Sequence, residues 1–380
     1  MRWRPELVVV VALSVSVAGG AGVLVAKHGS DAAPVAAPLP TRQPTAAPTA
    51  VPAATPTKAL PAPTKRPSPK PTRRPPAARP LFPLPARAVQ PQPCPAPPVP
   101  PGKPRPLGTP VVAEADVPAP VAVSGRATLR AAGGKGMWLT TWPKSTLNAS
   151  EVVRRAKAAG LRQVWVRTGG TKQGYYGDAL LAALLPRAHA AGIAVIAWDF
   201  PSLSDPVADV RRATRALSYT THGERLDGFS PDIETKAEGV HATAKRVRAY
   251  LSRVQAAAGT RPVVLTVPRP TKSRLATYPY AATAPYVDGY TAMIYWSCLE
   301  PGITTLNAIR ELKKLHRPVA VVGQAYDMGP EGGRHGLPSA AETWRFLDVA
   351  KRNGAFGASL YTYDTAGPHQ WGPLAAYTWR

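Results

Sequence analysis

From about residue 131 onward, short apolar runs alternate with amphipathic stretches. Eight runs read as strands: GMWLTTW (136–142), RQVWVRT (162–168), IAVIAWDF (193–200), DGFSPDIE (227–234), PVVLTVP (262–268), GYTAMIYW (289–296), PVAVVGQAYD (318–327) and GASLYTYD (357–364). They are rich in Val, Ile, Trp and Tyr, the residues that suit a pleated surface. Helical stretches lie between them. SEVVRRAKAAG carries Glu151 in its first turn and stops at Gly160. GDALLAALLPRAHAAG stops at Gly192, and EGVHATAKRVRAYLSRVQAAAG sets Val240, Ala244, Val247, Leu251 and Val254 on one face. LNAIRELKKLH and SAAETWRFLDVAKRNG follow. Nearly continuous apolar strands alternating with helices predict a parallel sheet covered by helices. Eight such strands in about 250 residues predict an α/β chain closed as a (β/α)8 TIM barrel over 131–380. An open doubly wound sheet would carry a Gly-rich phosphate turn after its first strand; TTWPKSTLN has none, and the Gly pair in VRTGG reads only as a turn.

Upstream the pattern dissolves. Most of the 46 prolines fall between Asp31 and Ala122, in a stretch nearly empty of large apolar side chains. Residues 31–130 therefore read as an extended, disordered linker. Residues 1–30 contain the uncharged run Leu7–Ala26 behind Arg2 and Arg4. Twenty residues of helix rise about 30 Å, enough to cross a bilayer. The run is read as a membrane anchor or as a signal peptide cut near Ala18–Gly22, and the flanking arginines direct the rest of the chain outward. Either reading places the protein on the extracellular side of the membrane, anchored or secreted.

The net charge of +25 is unevenly distributed, and in the linker it is unopposed. Between Ala32 and Ala113 there is no acid, against eleven lysines and arginines. Such an arm attracts polyanions. Export removes nucleic acid from consideration and leaves an anionic cell-wall polymer or the membrane surface as partner. Cys94 and Cys298 are the only cysteines; export permits a disulfide between them, and two free thiols are the other reading. The seven histidines are scattered and no zinc spacing occurs, so neither metal nor cofactor is expected, and the chain is expected to be a monomer.

Barrel chemistry collects at the C-terminal ends of strands. Those ends supply Trp142, Arg167, Asp199, Asp232, Glu234, Tyr295, Trp296, Asp327, Tyr361, Tyr363 and Asp364. A strand-end Asp often caps the next helix, and a strand-end Trp or Tyr often belongs to the core; the convergence on one rim points to a site. Asp232 and Glu234 stand two apart on one strand and so share a face, with Ile233 opposite. Two close carboxyls cannot both ionise cheaply, which leaves one able to hold a proton near neutrality.

LDGFSPDIE resembles the fourth-strand signature of family 18 glycoside hydrolases, the chitinase type, with Asp227, Gly228, Asp232 and Glu234 matching. AMIY, with Met293 and Tyr295, is similar to that family's sixth-strand motif, GASLYTYD to its eighth strand with Tyr361 in place of Trp, and WLTTW to its aromatic first strand. Ser230 replaces the first inward Asp, Pro231 follows it within the strand, and the third strand lacks the family's S-x-G-G. The Asp-x-Glu pair is also similar to family 25, the muramidase type. The family 18 resemblance implies an exported glycosidase cleaving an N-acetylhexosamine polymer, peptidoglycan or chitin-like, by a substrate-assisted retaining mechanism. Its catalytic residues would be Glu234 as acid, Asp232 on the acetamido N–H and Tyr295 on the acetamido carbonyl. Trp142 and Tyr361 would stack on sugar, and Asp199, Trp296, Asp327 and Asp364 would complete the substrate-binding set. The family 25 resemblance keeps Glu234 and makes Asp232, Asp199 or Asp364 its partner. A non-catalytic carbohydrate-binding barrel is the other class of reading, favoured by Ser230 and opposed by Glu234.

Overall fold

The computed structural model describes residues 110–123, 125–141 and 147–379. The run Leu7–Ala26, the basic arm with Cys94, and Trp142 lie outside them. Among the described residues no helix is long and apolar enough to cross a membrane.

Eight parallel strands form the centre: β1 (Gly134–Leu139), β2 (Gln163–Gly170), β3 (Ala194–Phe200), β4 (Gly228–Pro231), β5 (Val264–Val267), β6 (Gly289–Ile294), β7 (Val319–Gln324) and β8 (Gly357–Tyr361). Each pairs with its neighbours in sequence, and β1 pairs with β8. The ring closes between β4 and β5 at only two pairings, Phe229 with Val263 and Asp232 with Thr266. The barrel expected from the periodicity is therefore formed, with one thin seam beside the Asp-x-Glu pair.

The helices are α1 (Ala149–Ala158), α2 (Asp178–Ala190), α3 (Pro206–Ser218), α4 (Ala244–Ala258), the short α5 (Lys272–Thr277) and α6 (Tyr280–Thr283), then α7 (Pro301–Lys313), α8 (Ala340–Arg352) and α9 (Pro368–Ala376). Six of these starts are capped by side chains. Asn148, Asp205, Thr243, Thr271, Glu300 and Ser339 each accept from a backbone N–H in the first turn. The stretch from 238, expected as one helix, is a 3-10 turn over Lys236–Glu238, then a break, then α4. Gly239, at φ +85°, ends the turn.

Outward side chains of the strands pack under the helices in the main core. Inward ones form a second cluster of Trp138, Trp165, Ile196, Trp198, Val264, Met293 and Val322. Trp138 and Trp165 stack at 4.8 Å with 6° between planes, and Trp198 tilts against Trp138 at 5.4 Å. These rings fill the barrel, so ligands meet a cup above them rather than a pore. Gly136 permits this packing. A Cβ there would fall 1.6 Å from Gln163 Oε1, the atom that accepts from Trp165 Nε1 at 2.5 Å.

The Gly pair of VRTGG does not end β2 in a turn. Gly169 and Gly170 continue the strand and pair antiparallel with Tyr175 and Gly174. The residues assigned to the linker also stop earlier than composition suggests. Val112 N donates to Ser204 O, Glu114 pairs with Arg246 at 2.7 Å, and Val121 N donates to Ser252 Oγ. Arg126 bonds to Val287 O and Pro285 O and Ala127 N to Asp288 just before β6, so 110–123 and 125–130 are bound along the barrel, with Leu129 and Ala131 against the inner cluster.

Candidate active site

The strand alternation fixes the orientation of the two carboxylates. Phe229 and Ile233 are fully buried in the outer core, which turns Ser230, Asp232 and Glu234 inward. Asp232 N donates to Asp199 O at 2.8 Å and Ile233 N to Thr266 O at 3.2 Å, so the segment stays extended past the formal end of β4. Asp232 and Glu234 line a cavity of about 360 Å³ at the C-terminal mouth, with Arg167, Trp198, Phe200 and Tyr361 on its other walls.

Asp232 is 8% exposed, and its Oδ1 accepts no hydrogen bond from any described residue. Burial pushes its carboxyl up to about 7 against the pull of Arg167, with Asp199 and Glu238 adding to the rise. Glu234 is raised well above the usual carboxylate range, first by burial and then by the charges of Asp232 and Glu238. A proton near neutral pH therefore resides on this pair.

Tyr295 follows β6 and is half-buried against Tyr361 and Tyr326, at 5.7 and 5.4 Å between ring centres. Burial and the neighbouring tyrosines, then Asp232 and Glu234, raise its phenol well above 10, so it stays a donor. Its loop is clamped by Gln324 at the end of β7. Gln324 Oε1 accepts from Ser297 N at 2.8 Å while its Nε2 donates to Tyr326 O at 3.0 Å. Tyr361 stands over the inner tryptophans, 6.4 Å from Trp138 and 6.3 Å from Trp198.

Asp232, Glu234, Tyr295 and Tyr361 thus come together. Other expected residues do not join them. Asp199, 1% exposed, points away from the cup and is held by Arg212 Nε at 2.9 Å, because its place in β3 faces α3. Trp296 is fully buried against Phe346, 5.5 Å between ring centres, since it alternates outward from Tyr295. Asp327 is exposed, and its Oδ1 accepts from Gly329 N at 2.7 Å, capping the next turn. Asp364 lies exposed on the rim near the Thr140 backbone. Trp142 lies outside the described residues.

Several residues of the cup were given no role by the sequence, although Arg167 was placed at a strand end. Trp198 and Trp138 face inward by the same alternation that orients Asp232, a signal the sequence carried. Arg167, 8% exposed, lies with its guanidinium 5.1 Å from the Trp198 ring centre and offsets the burial of Asp232. Glu238 lines the cavity from the 3-10 turn after β4, where it also accepts from Thr235 N at 3.0 Å. Cys298, three residues after Tyr295, is disulfide-bonded; Cys94 lies outside the described residues. Among the described residues no cluster of His, Cys, Asp and Glu could hold a metal ion.

No protein-family model and no curated protein matches this chain. Solved structures similar to it include a chitinase from Chromobacterium violaceum ATCC 12472, at 12% identity and a TM-score of 0.47 over 64% of this chain and 98% of that one. A class V chitinase from Pseudomonas fluorescens Pf-5 is similar at 12% identity and 0.48, over 64% and 99%. The spore cortex-lytic enzyme SleL of Bacillus megaterium QM B1551 is similar at 10% identity and 0.48, over 65% and 75%.

Proposed function

We propose that this chain is an exported glycoside hydrolase that cleaves a polymer containing N-acetylhexosamine, with Glu234 as general acid. One observation carries the reading. Two inward carboxyls, both raised by burial and Glu234 raised further by Asp232, share a saccharide-sized cavity with the rings of Trp198, Phe200 and Tyr361, and the protonated Tyr295 stands beside the pair.

In the reaction Glu234 gives its proton to the glycosidic oxygen as the bond from that oxygen to the anomeric carbon breaks. The substrate's acetamido oxygen forms the new bond to that carbon, giving a cyclic oxazolinium ion. Asp232, through Oδ1, accepts the acetamido N–H, and the Tyr295 hydroxyl donates to the acetamido oxygen's side. Water then adds to the same carbon as its bond to the acetamido oxygen breaks, the water's proton returns to Glu234, and the configuration is retained. Tyr361 supports a sugar face. In the muramidase-like variant Glu234 keeps its task, and with Asp199 taken by Arg212 its partner is Asp232.

The leader behind Arg2 and Arg4 would carry the barrel out of the cell. The basic arm, about 3.1 Å per residue when extended, would let it range through an anionic wall while anchored or associated. Peptidoglycan or a chitin-like polymer is then the substrate within reach.

A non-catalytic sugar-binding barrel is the second reading, favoured by Ser230, whose hydroxyl is bonded to the backbone instead of supplying a carboxylate beside Asp232. The test is to incubate the chain and Glu234→Gln with chitin oligomers and purified peptidoglycan. Loss of product by at least about a hundredfold in the variant, with binding kept, is the expected result. Binding by both chains and product from neither would establish the lectin.

A further inference from the structure

The N-terminal end of the barrel, opposite the carboxyl pair, holds a second cavity of about 690 Å³. The residues that open it precede the strands: Arg130 before β1, Arg162 before β2, and Arg261 before β5, joined by Arg225. Arg130, Arg162 and Arg225 meet no carboxylate and donate no side-chain hydrogen bond among the described residues, and all three are exposed. Arg261 is anchored, donating to Leu217 O at 2.6 Å and Ala258 O at 3.1 Å. Burial, then the charge of Arg225, hold its pKa down, so two guanidinium groups are kept together at a cost.

The two acids in the cavity do not balance these charges, because both are engaged by one imidazole. His189 Nδ1 lies 2.6 Å from Glu224 Oε2, and its Nε2 lies 2.8 Å from Asp227 Oδ2. Only the protonated ring donates to both. Burial works against that form, yet the bonds to the two carboxylates outweigh it and raise the pKa. Four arginines and one imidazolium face two carboxylates, an excess of three positive charges. The same end repeats the pattern: Arg126, reaching Val287 O and Pro285 O, has its pKa lowered by burial and then by Arg317. Acids gather instead at the mouth, where Asp232, Glu234, Glu238 and Glu331 interact.

We propose that the N-terminal face of the barrel is a binding surface for a linear phosphate-bearing polyanion. Guanidinium forks match phosphate oxygens bidentately, and every unpaired cation of the cavity is an arginine. Their spread around an open cavity suits repeated anionic groups along a chain rather than one small ion. The surface lies on the opposite end from the carboxyl pair, so a polymer held there leaves the cup open, and its occupancy does not depend on the reaction assigned to that cup.

Three full-length proteins test this: the parent, the combined Arg130→Gln, Arg162→Gln and Arg225→Gln variant, and a chain whose eleven arm cations are replaced by glutamine. Each is titrated with linear inorganic polyphosphate over a series of KCl concentrations. The face variant, folded with the parent's Tm, is expected to bind at least tenfold more weakly at low salt. Its plot of log affinity against log salt is expected to be shallower by about 2 to 3, since each lost phosphate contact removes nearly one released counterion. Parental affinity and slope in the face variant, with both lost in the arm variant, would overturn the proposal. Equal binding of poly-glutamate at matched charge, with the same dependence on the three arginines, would overturn the assignment to phosphate.

Discussion

Ser230 Oγ donates to the carbonyl oxygen of Val264 at 2.7 Å, and that oxygen is the one the strand register reserves for the backbone N–H of residue 231. Phe229 N reaches Pro262 O at 3.0 Å and Ile233 N reaches Thr266 O at 3.2 Å, so the bond between them belongs to residue 231. Residue 231 is proline and has no N–H. The serine hydroxyl replaces the missing donor. Having spent its proton on Val264, it must accept from Thr266 Oγ1, 2.8 Å away. The thin seam between β4 and β5 and the inward serine at 230 are therefore one feature.

A double-mutant cycle reads this coupling directly. Ser230→Ala leaves a buried carbonyl without its donor and is expected to lower stability by about 1–3 kcal/mol. Pro231→Ala alone is expected to cost a few tenths to about 1 kcal/mol through the unfolded chain. In the Ser230→Ala background the same change restores the N–H and recovers part of the loss. Denaturant midpoints of the four chains measure it; additivity within about 0.5 kcal/mol would show that the hydroxyl and the proline act separately.

Asp232 links the site to pH-dependent stability. Its carboxyl holds a proton in the native state up to about 7, whereas the unfolded chain releases it near the ordinary carboxylate value. The native state thus binds more protons between roughly pH 4 and 7, and stability falls as pH rises through that window, by at most about 1.4 kcal/mol per unit for this group. Asp232→Asn removes the titration. Urea unfolding at pH 5 and pH 8 is expected to show the variant gaining on the parent at the higher pH; a gap that does not change with pH would contradict a buried carboxyl that keeps its proton in the native state.

The strands were legible because a parallel barrel buries both faces of each one, and eight apolar runs follow. The inward pair was legible for a related reason: period two and the apolar Ile233 fix which side of β4 carries the acids. Asp199 and Trp296 were misplaced by the same rule applied too coarsely. Both end strands, but the alternation turns Asp199 toward Arg212 and Trp296 toward Phe346. α3 passed unread although Asp205-Pro206 is a cap followed by a first-turn proline, because PVADVRRATRALS has few large apolar side chains to mark its buried face. Arg167 could be placed at a strand end, but its position over Trp198 depends on the bulge in β2 between Arg167 and Gly169, which local sequence does not announce.

Tyr295 separates a donor's role from an acid's. Its phenol stays protonated well past pH 10, so under the proposed mechanism an alkaline fall in kcat/KM is expected from the Glu234 carboxyl and not from the phenol. Tyr295→Phe is expected to lower kcat/KM by about tenfold to a hundredfold, the value of one hydrogen bond to developing charge, without moving the alkaline limb. The pH–rate profile of the variant checks this. Disappearance of the limb would assign the titration to the phenol.

Asp209, 1% exposed, organises two loops of the cup without touching its contents. Oδ2 accepts from Leu203 N at 2.8 Å, and Leu203 sits at φ +56°, a conformation a bulky side chain adopts only under constraint. Oδ1 accepts from Thr171 Oγ1 at 2.9 Å, and Thr171 Oγ1 in turn accepts from Ser202 N at 2.7 Å. Arg212 Nη2, 2.8 Å away, ties the carboxylate to Asp199. Thr171 and Ser202 both line the cavity. Asp209→Ala breaks a buried charged network and is expected to cost about 3–5 kcal/mol, whereas Asp209→Asn retains an acceptor and costs less. Because the loops and not the acid are disturbed, Asp209→Asn is expected to raise KM for oligosaccharides while the alkaline limb set by Glu234 stays in place. Steady-state kinetics across pH test the assignment; a shifted limb with unchanged KM would mean that Asp209 acts on the charge of the pair, and its role as a loop organiser would fall.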